Sequence, residues 1–490
     1  MASRSLTLDT LVLASGRTLG ALSAIAITAV LTRTLDVAAY ATHKQALLLY
    51  AFATPLLTLG LPKALYTLIP GEPERARGAL VENLALLLVG GALFAVALPL
   101  GVARLAAARF DNPALADAAL WMAPYALAAA PAAALGACLV ATGHVGALVR
   151  YNLASRLALL ALVTLAALTV GEAWATLAAH ALWALVALVP ALALMLRATG
   201  GGRPSLHGLR TQLAFALPLG LASLLGTLST QLDKLIVSAM CTTHDFAIYV
   251  TGALELPLIG IITGAMSAVV LPALVRHHRA GTPEKIVALW QRAMNLALLA
   301  LAPVMFGVLL AGPELMTVLF SAEYAEAAGP LRIYALMLPL RGAVYGSVLM
   351  ATGHPRQVTI SAALGLALNA ALSVVAVQWL GATGAAWASV VTTYAVVAWM
   401  LRPMSRALNC RARDLIAWRH LARVFAVAGA PALVVWGGIS LAADVIAEWP
   451  ALARLVVIGG CYGALCAAAY AITGVATPRD LIDFVRRHRA

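Results

Sequence analysis

Apolar segments of about twenty residues follow one another along almost the whole chain, and short connections between them carry most of its charge. A helix needs about 20 mostly apolar residues to cross a hydrocarbon core ~30 Å thick. Fourteen segments meet that requirement, centred near residues 22, 57, 92, 128, 159, 185, 225, 260, 298, 341, 367, 392, 431 and 462. Hydrophobic residues make up 62% of the chain and charged residues 11%, with mean hydropathy +0.92; a soluble domain carries about 25% charged residues. A water-soluble fold of 490 residues could not cover its surface with so few charges. The expectation is an all-α integral membrane protein of about fourteen transmembrane helices. Prolines recur inside the segments, among them Pro55, Pro131, Pro218, Pro257, Pro303 and Pro339, which spans tolerate because neighbouring helices re-satisfy the freed carbonyls. The first apolar run starts near Leu11 and is interrupted by Arg17, so it reads as an uncleaved first helix.

The charge pattern sets an orientation. Every second connection is basic: Arg75 and Arg77; Arg197, Arg203 and Arg210; Arg276, Arg279 and Lys285; Arg356; and five arginines from Arg402 to Arg419. With Arg4 and the four C-terminal arginines these make nineteen, against five (Arg33, Lys44, Arg104, Arg109, Arg454) on the opposite side. The positive-inside rule then expects both termini in the cytoplasm, across the bacterial inner membrane. The net charge of +13 therefore reports topology and does not point to nucleic acid. In the tail, Thr477 and Pro478 can open a short helix with Leu481, Ile482 and Val485 on one face, suited to the inner leaflet surface.

An internal repeat runs beneath this pattern. Asp36-Val37-Ala38-Ala39-Tyr40 follows the first segment, and Asp245-Phe246-Ala247-Ile248-Tyr249 follows the seventh. Ala141-Thr142-Gly143-His144 closes the fourth and Ala351-Thr352-Gly353-His354 the tenth. Tyr125-Ala126-Leu127 returns as Tyr334-Ala335-Leu336. The near-constant offset implies two duplicated six-helix lobes, residues 1–200 and 201–403. A basic linker and two further helices follow over 404–476, then the amphipathic tail, 477–490. Six spans per repeat keep the same orientation, the arrangement of transporters whose substrate site lies near the midplane between the halves.

Two six-helix lobes, two extra helices and acidic-aromatic loops after the first and seventh spans resemble the MOP (multidrug/oligosaccharidyl-lipid/polysaccharide) exporter superfamily. Within it, Gln231-Leu232-Asp233-Lys234-Leu235-Ile236-Val237, Glu323-Tyr324-Ala325-Glu326-Ala327-Ala328 and Gly381-Ala382-Thr383-Gly384-Ala385-Ala386-Trp387-Ala388-Ser389 are similar to the polysaccharide transporter branch, the Wzx-type oligosaccharide flippases. The resemblance runs from about residue 8 to 402. It implies a flippase for a lipid-diphosphate-linked oligosaccharide, working among membrane lipids and alongside a polymerase and other proteins of the same pathway.

Ionisable residues inside spans are expensive and usually face a cavity or a partner. Those expected to line the central substrate cavity are Arg17, Lys63, Arg156, Asp233, Lys234, Glu255, Arg292 and Arg341. Arg17, Lys63 and Arg292 lie near enough to an interface to snorkel; Arg341 lies deepest. Six cations against two anions suit an anionic head group, which arginine grips with two parallel hydrogen bonds, and would repel organic cations. A lipid II flippase would need the same grip and stays open, as does a multidrug antiporter of the same superfamily. A polymerase or ligase would need a larger extramembrane platform than the short connections here provide. No catalytic, metal or cofactor motif is present in the sequence: no lysine follows a glycine as a P-loop requires, no histidine precedes glutamate, and the five cysteines have no metal or redox spacing.

Overall fold

The computed structural model describes residues 20–254 and 257–475, and within them every element is a helix. Eleven helices are long and apolar enough to cross a membrane, and a bent pair, Ala322–Ala335 with Leu338–Ala351, would make a twelfth. The chain is thus a multi-pass membrane protein. The first and eighth expected spans are represented by the helices Gly20–Thr34 and Pro257–Arg279, which are not among the eleven. Arg17, Glu255 and the 477–490 tail lie outside the described residues. Large apolar side chains stand fully outward along the helices, among them Leu100, Val189, Trp379, Leu441 and Ile472. Such continuous apolar exposure is stable against lipid but not against water.

The described chain divides into two compact units between Ala247 and Ile248. In the first unit, one apolar cluster gathers Leu61, Leu65, Leu80, Leu87, Leu135 and Met195. A second gathers Phe94, Leu98, Phe110, Leu115, Met122 and Leu177. The second unit has a cluster around Trp290, Met294, Val348 and Met404. Its other cluster seats the last two helices, Trp418–Leu441 and Ala451–Thr473, on the long helix Pro283–Phe320 through Leu298, Ala302, Ala428 and Tyr462.

The long helix Leu206–Met240, which opens the second sequence repeat, packs within the first unit. A buried polar network fastens it there. Glu82, 2% exposed, accepts from the Ser205 backbone N–H at 2.7 Å, from Gln212 Nε2 at 3.0 Å and from Arg75 at 3.3 Å. Asn83 donates to Gln212 Oε1 at 2.9 Å and to the Leu61 carbonyl at 2.9 Å. A carboxylate beside the first residues of a helix also satisfies its orphan N–H groups and the positive end of its dipole. Further along, this helix crosses the break at Leu59–Gly60, where a Cβ on Gly60 would stand 2.6 Å from the Gly220 nitrogen. Gly60 also has φ 75°, so glycine is required there on both counts.

The repeated tetrapeptides turn out to be helix stops, equivalent bond for bond. Gly143 and Gly353 have φ 78° and 79°. His144 N–H donates to Leu139 O at 2.7 Å and His354 N–H to Leu349 O at 2.8 Å; Gly143 and Gly353 donate to Val140 and Met350. These are the two hydrogen bonds of a Schellman cap, and its left-handed residue selects glycine. The two acidic-aromatic motifs both start helices, by different means. Asp36 is itself the N-cap, accepting from Ala39 N–H at 2.6 Å. Asp245 closes a capping box with Thr242, its carboxylate accepting from the threonine N–H and hydroxyl while its own N–H donates to Thr242 Oγ1. Of the prolines expected inside spans, Pro55, Pro131, Pro218 and Pro303 do lie within helices. Pro339 instead occupies the first turn of the short helix Leu338–Arg341, where the missing N–H has no partner to lose; Pro257 is in Pro257–Arg279, next to residues outside those described.

Candidate functional site

Because Asp36 starts its helix at Val37, Lys44 falls two turns inside Val37–Thr58 and is half-buried. The sequence places it in an outer connection; the N-cap overturns that reading. Its ammonium donates to Thr28 Oγ1 at 3.0 Å and lies 5.4 Å from the centre of the Tyr40 ring. Across the same interior, Lys234 donates to Thr230 O at 3.2 Å and Gln231 Oε1 at 3.1 Å. The helices that carry them, Val37–Thr58 and Leu206–Met240, pack against each other and are tied by the bond from Gln45 to Ser238. Each ammonium is held by neutral groups, and no carboxylate among the described residues is at ion-pair distance from either.

Beside Lys44 sits a buried histidine pair, with ring centres 5.2 Å apart. His180 Nδ1 lies 2.9 Å from the Thr176 carbonyl, which can only accept, so His180 carries a proton on Nδ1. The single hydroxyl proton of Thr176 goes to Ala173 O at 2.8 Å, so the 2.8 Å bond to His43 must be donated by His43 Nδ1. His43 Nε2 is then a buried acceptor without a hydrogen-bond partner. Tyr50, Tyr125 and Trp183 form an aromatic wall: Tyr125 meets Tyr50 edge-on at 4.9 Å and stacks on Trp183 at 6.5 Å. Gln45 ties the cluster to the long helix, donating to Ser238 Oγ at 3.0 Å and accepting from Asn112 at 2.6 Å.

Of the expected site residues, Lys234 lies on the helix that Gln45 ties to this cluster, and Arg156, which is exposed, stands one residue past Ser155, whose carbonyl accepts from Trp183. Asp233 is 7% exposed, on the next step of the helix and about 100° round from Lys234. Lys63 is exposed and donates to Ser223 Oγ at 2.7 Å, on the long helix. Arg292 and Arg341 are half-buried in the second unit, Arg292 on Pro283–Phe320 and Arg341 at the end of the four-residue helix Leu338–Arg341. Among the described residues no group of three or more His, Cys, Asp or Glu side chains could hold a metal ion.

The model of a family described as "Polysaccharide biosynthesis protein" matches residues 30–329, well over half of the chain. The chain belongs to that family. The lipid II flippase MurJ, in an inward closed conformation, superposes with a TM-score of 0.70 at 15% identity, over 97% of this chain and 100% of that one. A MOP superfamily transporter from Pyrococcus furiosus superposes at 0.59 with 16% identity, over 84% and 97%. The Vibrio cholerae MATE transporter VcmN, as a point mutant, superposes at 0.57 with 18% identity, over 83% and 98%. These likenesses establish the fold: this polysaccharide biosynthesis protein is built as a MOP exporter is. No curated protein matches the sequence.

Proposed function

We propose that this protein is a flippase moving a lipid-diphosphate-linked oligosaccharide from the cytoplasmic to the outer leaflet of the bacterial inner membrane by alternating access. In this reading the sugar-lipid is carried, not chemically altered, both termini are cytoplasmic, and a polymerase and other proteins of the pathway act beside it. The observation that carries the proposal is the pair Lys44 and Lys234. Two like charges in a low-dielectric interior repel strongly, and an anionic group between them removes that cost. A diphosphate supplies it, and the nearby aromatic faces suit the apolar faces of sugar rings. Membership of the polysaccharide biosynthesis family supports the same substrate class, and an organic cation is disfavoured by the same pair.

The test is export of surface polysaccharide in cells whose own copy is deleted. Lys44→Gln and Lys234→Gln should each lower export about 10- to 100-fold, the effect of losing a hydrogen bond to a charged group, with normal amounts of inserted protein. Lys44→Arg should keep most of it. Undiminished export by the double glutamine variant would overturn the proposal. One observation favours a second reading, lipid II as cargo: the likeness to MurJ spans nearly the full length of both chains. Arrested cell-wall synthesis with surface polysaccharide intact would choose that cargo.

A further inference from the structure

The helices Val145–Thr169 and Ala173–Ala198 pack side by side, and one face of the pair is hollowed into a groove of about 470 Å³. Small residues make the hollow, chiefly Ala154 and Ala158 on one helix and Ala187 and Pro190 on the other. The polar atoms of the two aromatic residues in the floor are both engaged by backbone carbonyls of the opposite helix. Tyr151 donates to the Ala187 carbonyl at 3.0 Å and Trp183 to the Ser155 carbonyl at 2.7 Å. What remains facing the groove is apolar. From Arg150 to Leu162 it follows one helix for about 18 Å at 1.5 Å per residue, close to one leaflet of a ~30 Å core.

At one end of this groove, where the first helix begins and the second finishes, stand Arg150 and Arg197. Both are exposed, and neither has a hydrogen-bond or ion-pair partner among the described residues. An arginine that merely marks an interface needs no groove beneath it. Two guanidinium groups at the mouth of a leaflet-deep apolar channel match a molecule with one anionic head and one long chain. We propose that the groove is a binding site for an anionic phospholipid, with an acyl chain along the floor and its phosphate held between Arg150 and Arg197. Guanidinium binds phosphate with two parallel hydrogen bonds, and basic pockets between spans are a known form of anionic-lipid site. Phosphatidylethanolamine is disfavoured because its ammonium would face two arginines. The proposal does not rest on the transport reading, since the same groove would bind lipid in a chain that carried another cargo.

The test uses the full chain purified from membranes in mild detergent. Mass spectrometry of the extracted lipid should show phosphatidylglycerol or cardiolipin enriched over phosphatidylethanolamine, relative to the source membrane. Added phosphatidylglycerol should raise the thermal midpoint, while phosphatidylethanolamine and inorganic phosphate should not. The double variant Arg150→Gln/Arg197→Gln, altered only at exposed positions, should retain about tenfold less anionic lipid, the factor expected from losing a net hydrogen bond to a charged group. Ala158→Phe should do the same by filling the floor with both arginines in place. Bulk-membrane lipid composition on the purified protein, or undiminished retention by the arginine double variant, would overturn the proposal. Equal protection by inorganic phosphate would overturn it too, leaving a simple anion site. Should Ala158→Phe fail to insert, the arginine variant decides alone.

Discussion

Arg341 occupies the last position of the four-residue helix Leu338–Arg341, just after the 50° bend between Ala335 and Leu338 and just before the break that precedes Tyr345. A helix end leaves backbone carbonyls without intrahelical partners, acceptors that a guanidinium can use. Arg341→Ala should lower polysaccharide export about 10- to 100-fold with inserted protein unchanged. Arg341→Lys should recover part of it, keeping the charge and losing the two-pronged geometry. Full recovery in Arg341→Gln, measured in the same export assay, would assign the residue to packing. The sequence singles out Arg341 by its depth alone, and it finds Lys234 and Arg156 in the same way. It misses Lys44, because a lysine eight residues after an aspartate reads as loop until that aspartate is recognised as an N-cap. The signal is in the sequence, since Asp36 stands directly before an apolar helical run. His43 and His180 had no such signal: they are 137 positions apart in the chain, and only the packing of their helices pairs them.

Helix boundaries were more legible than helix packing. The repeated alanine-threonine-glycine-histidine strings are visible as a duplication before any coordinates, and the Schellman caps explain why those residues recur: glycine for the left-handed turn, threonine for its hydroxyl bond back to Cys138 or Val348. What no local pattern encodes is which bundle a helix joins. Nothing around Glu82 in the sequence names its partners, yet it is the buried clasp of the long helix Leu206–Met240. Glu82→Ala leaves Gln212, Arg75 and the Ser205 N–H without their common acceptor. It should destabilise the first unit by about 3 kcal/mol, the lower range for breaking a buried charged pair. Glu82→Gln, which keeps an acceptor, should cost about 1 kcal/mol. Thermal unfolding of the purified variants reads the order of the two effects.

Across the whole molecule, orientation is the property that the charge pattern predicts most directly. Cys241, just past the end of Leu206–Met240 and on the proposed outer side, is a natural reporter. Burial, and then the nearby Asp245 carboxylate, push its thiol up to about 11. The thiolate is the reacting form, so an impermeant reagent should label Cys241 in intact cells about tenfold faster per pH unit between 7 and 9. Asp245→Asn should speed the reaction at any one pH. A cysteine placed at Arg203 should react only after lysis, and the reverse pattern would invert the topology. The long helix has one more consequence, in the order of synthesis. Its clasp residues Glu82 and Asn83 leave the ribosome well before Gln212. At about 5–20 residues per second, the interval is roughly 6 to 26 s. During that time Glu82 has only Arg75 and Asn83 only the Leu61 carbonyl, without their partners Ser205 and Gln212. The first repeat is therefore an incomplete folding unit, and a chain truncated in the Gly200–Gly201–Gly202 connection would keep that vulnerability permanently.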